Sequence, residues 1–158
     1  MNILKLELTH FGKFHLKTIT FTSGLNIVYG KNEAGKSTIH AFVRSMLFGI
    51  PDTEEGNERY SHYLPWETPH DFCGRMWIKK DDKVYRIERN FLRPQPTVRV
   101  FDDETGESLQ PAKQHLRQIL SGLTETSYLN TICIEQLQIL SLQRNLRIWQ
   151  SMPVGAKI

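Results

Sequence analysis

The run Gly30-Lys31-Asn32-Glu33-Ala34-Gly35-Lys36-Ser37-Thr38 fits the pattern G-x-x-x-x-G-K-[ST], and its residue types suit a phosphate cradle. Gly30 and Gly35 let the backbone curl so that successive N–H groups converge on phosphate oxygens. A helix starting at the lysine adds the partial positive charge of its N-terminus. In such a loop Lys36 reaches the β- and γ-phosphates of a nucleoside triphosphate, and the Ser37 hydroxyl is a ligand for Mg²⁺. The expected nucleotide-binding set is Gly30, Lys31, Asn32, Glu33, Ala34, Gly35, Lys36, Ser37 and Thr38. The sequence holds no guanine-reading N-K-x-D motif, which favours ATP over GTP. Phe11 and Phe14, ahead of the loop, either stack on the base or belong to a core, the core being the expectation.

Turning over a triphosphate also requires a metal-holding carboxylate and a group that positions water. The acidic pairs Asp81-Asp82 and Asp102-Asp103-Glu104 sit in polar stretches that read as turns, not at the end of an apolar strand. They are expected to be solvated. His70 and Cys73 form an H-x-x-C pair, half of a metal site at most, because structural zinc needs four ligands.

A phosphate loop works only between a strand and a helix, and both are expected. Leu25–Tyr29 is a short apolar run, the pattern of a strand buried on both faces. Ile39, Phe42, Val43, Met46 and Leu47 recur at helical spacing, predicting a helix over Lys36–Phe48 that Gly49 and Pro51 terminate. Upstream, Leu4, Leu6 and Leu8 alternate with Lys5, Glu7 and Thr9, a half-buried strand. Phe14–Phe21 reads as a second strand, bulged near Thr18 where its apolar phase flips. Downstream, 50–70 reads as a long exposed loop. Phe72–Lys79 and Lys83–Asn90 read as a hairpin around Lys80-Asp81-Asp82, and Thr97–Asp102 as a further strand. Two short helices are expected at about 111–121 and 124–130, the second with Thr124 as N-cap, then a strand over Thr131–Ile134. Ile139, Leu142, Leu146 and Trp149 form a short heptad-like seam, either the start of a coiled coil or an ordinary core-facing helix.

With 158 residues, 39% hydrophobic and 23% charged, the chain suits a soluble globular domain. The net charge of +3 is compatible with a polyanionic partner and does not demand one. Two cysteines without C-x-x-C spacing point to a reducing, cytoplasmic compartment. Lys5 and Glu7 interrupt any apolar leader, and no stretch is long enough to span a membrane. Arg86, Arg89, Arg93 and Arg99 cluster with Lys79, Lys80 and Lys83, although Glu88, Asp81 and Asp82 dilute them.

The loop Gly-Lys-Asn-Glu-Ala-Gly-Lys-Ser-Thr resembles the G-x-N-x-x-G-K-S-T loop of the SMC/RecN-type chromosome-maintenance and DNA-repair ATPases of the ABC-ATPase superfamily. The helix end Met46-Leu47-Phe48-Gly49 is similar to theirs. Tyr63-Leu64-Pro65-Trp66, Gly74-Arg75-Met76-Trp77-Ile78 and Tyr85-Arg86-Ile87-Glu88-Arg89-Asn90-Phe91 resemble the YhaN-like AAA-type members. The resemblance implies an α/β P-loop NTPase of the ABC/SMC head type. Such a head has a mixed sheet around the P-loop helix, an antiparallel β-subdomain and a short C-terminal helical arm. It places an N-terminal lobe at 1–137, the start of a coiled-coil arm at 138–150 and a tail at 151–158. It implies ATP and Mg²⁺ as cofactors, Asn32 near the γ-phosphate, and Gln136 as the Q-loop residue touching Mg²⁺ and the attacking water. The catalytic candidates are thus Lys36 and Gln136, and the metal candidates Ser37 and Gln136.

Family members also carry a second lobe with a signature motif, a Walker B aspartate and a catalytic glutamate, and none of these is found here. The resemblance therefore implies a lobe that needs a C-terminal ATPase lobe or a second head as dimer partner. Its role would be in double-strand break repair or chromosome maintenance, with DNA and a nuclease subunit as further partners. DNA backbone would be met by Arg86 and Arg89. Alone, the chain is expected to bind ATP weakly and to hydrolyse it slowly or not at all. The alternatives are a self-contained small P-loop kinase or phosphotransferase, drawing carboxylates from 50–70 or from Asp81-Asp82, and a non-functional remnant.

Overall fold

The computed structural model describes residues 1–132. Gln136, the seam from Ile139 to Trp149 and the end of the strand expected at Thr131–Ile134 lie outside them. The described chain divides into two units at Gly122–Leu123. The first is built on one antiparallel sheet in the order β2-β1-β3-β4-β5. Its strands are β1 (Asn2–Phe11), β2 (Phe14–Thr20), β3 (Cys73–Lys80), β4 (Lys83–Asn90) and β5 (Thr97–Asp102). Three helices accompany it: α1 (Lys36–Phe48), α2 (Glu54–Tyr63) and α3 (Ala112–Ile119).

Strand alternation sorts the sheet into two faces. Leu6, Leu8, Met76, Ile78, Ile87 and Val100 are fully buried on one of them. Helix α1 contributes Phe42, Met46 and Leu47 to the same core. The closest approach is at Gly74, where a Cβ would lie 2.5 Å from the Phe42 ring and 2.7 Å from the Glu7 carbonyl oxygen. Glycine at this strand position is what lets α1 sit down on the sheet. Replacing Gly74 by valine is expected to cost about 2–3 kcal/mol, read as a lowered urea midpoint with unchanged m-value. A cluster of Phe11, Tyr63, Phe72 and Phe91, with ring centroids 5.1–5.6 Å apart, closes one end of the core. Phe11 is therefore core, as expected.

The other face carries two cross-strand rows. Glu7, Arg75, Glu88 and Arg99 are register partners across four strands. They alternate in charge, with ion pairs of 3.5, 3.3 and 3.1 Å. Beside them Lys5, Trp77, Arg86 and Phe101 alternate cation and ring, Lys5 lying 4.4 Å from the Trp77 centroid and Arg86 4.6 Å from that of Phe101. Such diagonal and directly opposed pairs are the units of sheet stabilisation.

The hairpin β3–β4 turns on Asp81-Asp82, with φ of +50° and +62°. Two successive positive φ values define the turn whose twist matches the strands, and Asn-Gly is its preferred sequence. D81N/D82G is expected to raise stability by about 0.5–1 kcal/mol, measured by thermal melting.

Several expectations change. Residues 50–70 are not a loop throughout: Glu54–Tyr63 is helix α2, capped by Thr53, whose hydroxyl accepts from Gly56 N–H at 3.2 Å. Glu54 and Glu55 in its first turn suit the helix dipole. The bulge expected near Thr18 is absent, since β1 and β2 keep one register from Lys5↔Thr20 to Phe11↔Phe14. The irregularities fall between β1 and β3, at Ile3/Lys5 and Leu8/His10. Leu25–Tyr29 joins no strand of the described sheet, and this sheet is antiparallel rather than mixed.

The second unit, as far as it is described, is a single turn α4 (Glu125–Ser127) followed by a π-helical turn over Tyr128–Ile132. Thr124 caps it as expected, accepting from Ser127 N–H at 3.1 Å. Thr131 thus continues a helical turn rather than opening a strand.

Candidate phosphate-binding site

Helix α1 begins at Lys36, and the loop before it has the conformation its sequence demands. Gly35 stands at φ +98° and Glu33 at φ +64°. Ala34 N–H donates to the Lys31 carbonyl at 3.1 Å, closing a tight turn. Residues in left-handed conformation beside a helix start turn consecutive N–H groups into one concavity, which suits an anion. No side chain caps α1 at Gly35. In the protein alone, the Lys36 ammonium folds back on the loop and donates to the carbonyls of Gly30 at 2.7 Å and Lys31 at 2.9 Å. The ammonium is thereby held against the loop, and Ser37 follows it in the first turn of α1.

Gly30, Lys31, Asn32, Glu33, Ala34, Gly35, Lys36, Ser37 and Thr38 are thus brought into one turn of loop and helix. The donor set fits a phosphate chain: backbone N–H groups, one ammonium and a helix N-terminus. It also supplies the Ser37 hydroxyl oxygen, of the hard type that Mg²⁺ prefers. The second metal candidate, Gln136, is outside the described residues.

The β1–β2 turn adds Gly12 and Lys13, which the sequence did not single out, and places Phe14. Gly12 is wedged between the loop helix and α2: a Cβ there would meet Thr38 Cγ2 at 3.0 Å and Tyr63 Cδ1 at 3.4 Å. Its N–H donates to the Tyr63 carbonyl at 2.7 Å. Lys13 Nζ donates to the Glu33 carbonyl of the loop. The Phe14 ring lies against Gly35 and fills the space a side chain would need there. Phe14 therefore supports the loop instead of offering a free face to a base. These contacts join residues twenty and more positions apart, so no local motif announces them.

Helix α2 is tied to α1 by Arg44 and Glu55 at 2.7 Å. The Arg44 hydrogen bond and charge hold the Glu55 carboxyl below its ordinary range.

Of the candidate carboxylates, those of Asp102 and Asp103 are engaged in structural contacts, whereas the Asp82 side chain is 97% exposed. Asp81 and Asp82 form the hairpin turn. Asp102 Oδ1 accepts from the N–H groups of Glu104 and Thr105 at 3.1 and 3.3 Å. Asp103 accepts from the Trp77 indole at 3.0 Å and pairs with Arg86 at 3.4 Å. No group of three metal-ligating side chains occurs among the described residues. Burial pushes the Cys73 thiol up, with help from Asp71, so it stays protonated at neutral pH.

The two arginines expected to meet DNA part company. Arg86 lies on the charged face, paired with Glu88 at 3.2 Å. Arg89 points the other way, onto the C-terminal end of α1. Its Nε donates to the Met46 carbonyl at 2.7 Å and its Nη2 to the Leu47 carbonyl at 3.2 Å. Desolvation pushes its pKa down to about 10, and it has no carboxylate partner among the described residues. It closes the helix rather than presenting a surface charge.

On the other side of the loop, Leu25 is 88%, Ile27 73% and Tyr29 90% exposed. The turn before them is fixed by Asn26, which bonds Thr22 and Gly24. No described helix is long and apolar enough to cross a membrane.

A family model described as an AAA domain matches residues 1–142. The chain is 43% identical over 56 residues to the uncharacterized protein YhaN of Bacillus subtilis (strain 168), covering 35% of this chain and 6% of that protein. It is 26% identical over 149 residues to the DNA double-strand break repair Rad50 ATPase of Thermococcus kodakarensis, covering 88% of this chain and 16% of that protein. It thus spans a small fraction of the length of either relative. A phosphate loop with this geometry, inside a match that covers nearly the whole chain, assigns the family: the chain belongs to the AAA-domain family of SMC/Rad50-type ATPases.

Proposed function

We propose that this chain is the nucleotide-binding lobe of a Rad50-like ATPase head and takes MgATP at Gly30–Thr38. The observation that carries the reading is the loop itself: left-handed Glu33 and Gly35 before the uncapped start of α1, with the Lys36 ammonium folded onto the loop carbonyls of Gly30 and Lys31. Lys36 binds the β- and γ-phosphates, Ser37 ligates Mg²⁺, Asn32 approaches the γ-phosphate, and Gln136 faces the metal and the attacking water. When bound, Mg²⁺ neutralises charge that develops on the phosphates.

The apolar run Leu25–Tyr29 supports a composite site. It reads as a strand buried on both faces, yet its apolar side chains stand in solvent. A further ATPase lobe, or a second head, covers it and brings the carboxylates that hydrolysis needs. MgATP binding without turnover by this chain, and turnover once a C-terminal lobe is added in trans, is the expected result. Turnover by the chain alone would favour the small-kinase reading instead.

A role at DNA ends or along chromosomes follows from the Rad50 relative. Phosphate contact then falls to the charged sheet face, where four cations stand against two carboxylates in the paired rows. Replacing Arg75, Arg86 and Arg99 together is expected to lower the log–log salt dependence of duplex binding by about three, roughly one per residue. Replacing Arg89 is expected to leave that slope unchanged.

A further inference from the structure

We propose that His10 and His15 form a two-imidazole clip for a divalent transition-metal ion of the Zn²⁺ or Ni²⁺ type, across the β1–β2 hairpin. The clip stands independently of the nucleotide reading.

The two residues are direct cross-strand partners, and their ring centroids lie 4.5 Å apart with the planes tilted by 55°. Opposed side chains of an antiparallel pair have Cβ atoms about 4.5–5.5 Å apart. That spacing lets two imidazole nitrogens converge on one ion, at bond lengths of about 2.0–2.1 Å. The His10 Nδ1 atom is buried and has no hydrogen-bond partner. A buried ring nitrogen left in this way calls for an explanation, and an ion is one. His15 beside it is exposed, so the pair is open to ions from solvent.

The backbone is shaped to bring the rings together. Strict alternation from Leu6 and Leu8 would point His10 into the core. Instead Phe11 is fully buried, so the phase of β1 changes after Leu8, where its register against β3 is irregular. Strand β2 changes phase with it. Its two half-buried residues, Phe14 and Ile19, are an odd number of positions apart, and Leu16 between them stands at φ +49°. Left-handed backbone is costly for leucine and persists only where the surrounding structure imposes it. The paired changes keep β1 and β2 in one register while turning His10 and His15 onto the face opposite Phe11 and Phe14.

Imidazole suits Zn²⁺ and Ni²⁺ rather than Mg²⁺ or Ca²⁺, which take oxygen. No third metal-ligating side chain joins the pair among the described residues. Two protein ligands are fewer than the three of a catalytic zinc site, so water completes the coordination and the ion exchanges. Cys73 is the register partner of His10 on β3, but its thiol is hydrogen-bonded with Thr9, and burial pushes it up and keeps it protonated. The position gives the ion a consequence. Directly toward the hairpin tip stand Gly12, Lys13 and Phe14, which meet Thr38, Glu33 and Gly35 of the phosphate loop. An ion on the clip ties the two strands together behind those supports.

The test titrates Zn²⁺ into the 158-residue chain by calorimetry, with no nucleotide present. His15→Gln is expected to weaken Zn²⁺ binding about tenfold or more, because one of two ligands is lost. His15 is exposed, so this substitution leaves the fold intact. His10→Gln is expected to have the same effect, and His70→Gln and Cys73→Ser none. With Zn²⁺ a hundredfold above its dissociation constant, the folding equilibrium constant of the parent chain is expected to rise about a hundredfold, read as a higher urea midpoint. H15Q is expected to lose that rise. Equal Zn²⁺ affinity in H15Q and the parent chain would overturn the proposal. So would loss of binding in H70Q or C73S, which would move the ion to the H-x-x-C pair. Binding with no rise in the urea midpoint would also overturn it, since the ion would then hold the unfolded chain as tightly as the folded hairpin.

Discussion

Replacing Lys36 by alanine is expected to weaken MgATP binding at least a hundredfold while leaving the fold intact. The ammonium makes charge-assisted hydrogen bonds, each worth about 1.5–3 kcal/mol when its partner is ionised. In the proposed site it meets two phosphates, so about 3 kcal/mol is at stake, which is more than two decades in the dissociation constant. The cost to stability is small. In the free protein Lys36 holds only two loop carbonyls, Gly30 and Lys31, both of them exposed. Water replaces it there at little loss, and α1 still sits on the sheet through Phe42, Met46 and Leu47. Binding by calorimetry and stability by urea titration therefore separate cleanly. Equal MgATP affinity in K36A and the parent chain would remove the central claim. Lys36→Arg is expected to recover only part of the affinity, because a forked guanidinium does not fit a point-charge position inside a tight loop.

How much of this was legible in the sequence depended on whether a segment's signal was local. Helix α1 has its loop, its apolar stripe and its glycine stop within the single stretch Gly30–Gly49, and its ends are Lys36 and Phe48 as the spacing predicts. Strands β3, β4 and β5 have alternation and turn residues close at hand. Helix α2 lacks an apolar stripe, buries only Gly56 and Arg59, and so reads as loop in the sequence. Its signal was the start, Thr53-Glu54-Glu55, a capping residue before two acids. Leu25–Tyr29 was read as a buried strand from composition, and nothing local could say that its cover is not in the described sheet. Standing among other arginines, Arg89 reads in the sequence as a surface cation. Alternation holds the missed signal: Arg89 is two residues from Ile87 and shares its face, whereas Arg86 and Glu88 share the other. The contacts of Gly12, Lys13 and Phe14 with the phosphate loop come from a hairpin closing against a helix start, which no window of sequence displays.

That inward arginine carries the second large effect. Arg89→Ala is expected to destabilise the chain by about 2–3 kcal/mol, with lower urea midpoint and unchanged m-value. The last carbonyls of a helix have no partner within it, and here two of them, Met46 and Leu47, are met by one guanidinium. Removing it strands both acceptors in a partly buried position and removes a cation from the negative end of the helix dipole. Arg89→Lys is expected to lose about half as much, since a single ammonium cannot reproduce the fork. Arg89→Met keeps the apolar stem and relieves desolvation of the charge, so its cost should fall below that of alanine. The pH dependence has a definite sign. Desolvation pushes the folded pKa down to about 10, below the ordinary arginine range, so the unfolded chain binds the proton more tightly. This group's contribution to stability is thus flat through neutral pH and rises with pH only above about 10. An Arg89→Ala loss that varied between pH 6 and 9 would point to a titrating partner instead. A loss that stays constant there, and that appears without any change in the salt dependence of duplex binding, fixes Arg89 as the residue that seats the phosphate-loop helix on its sheet.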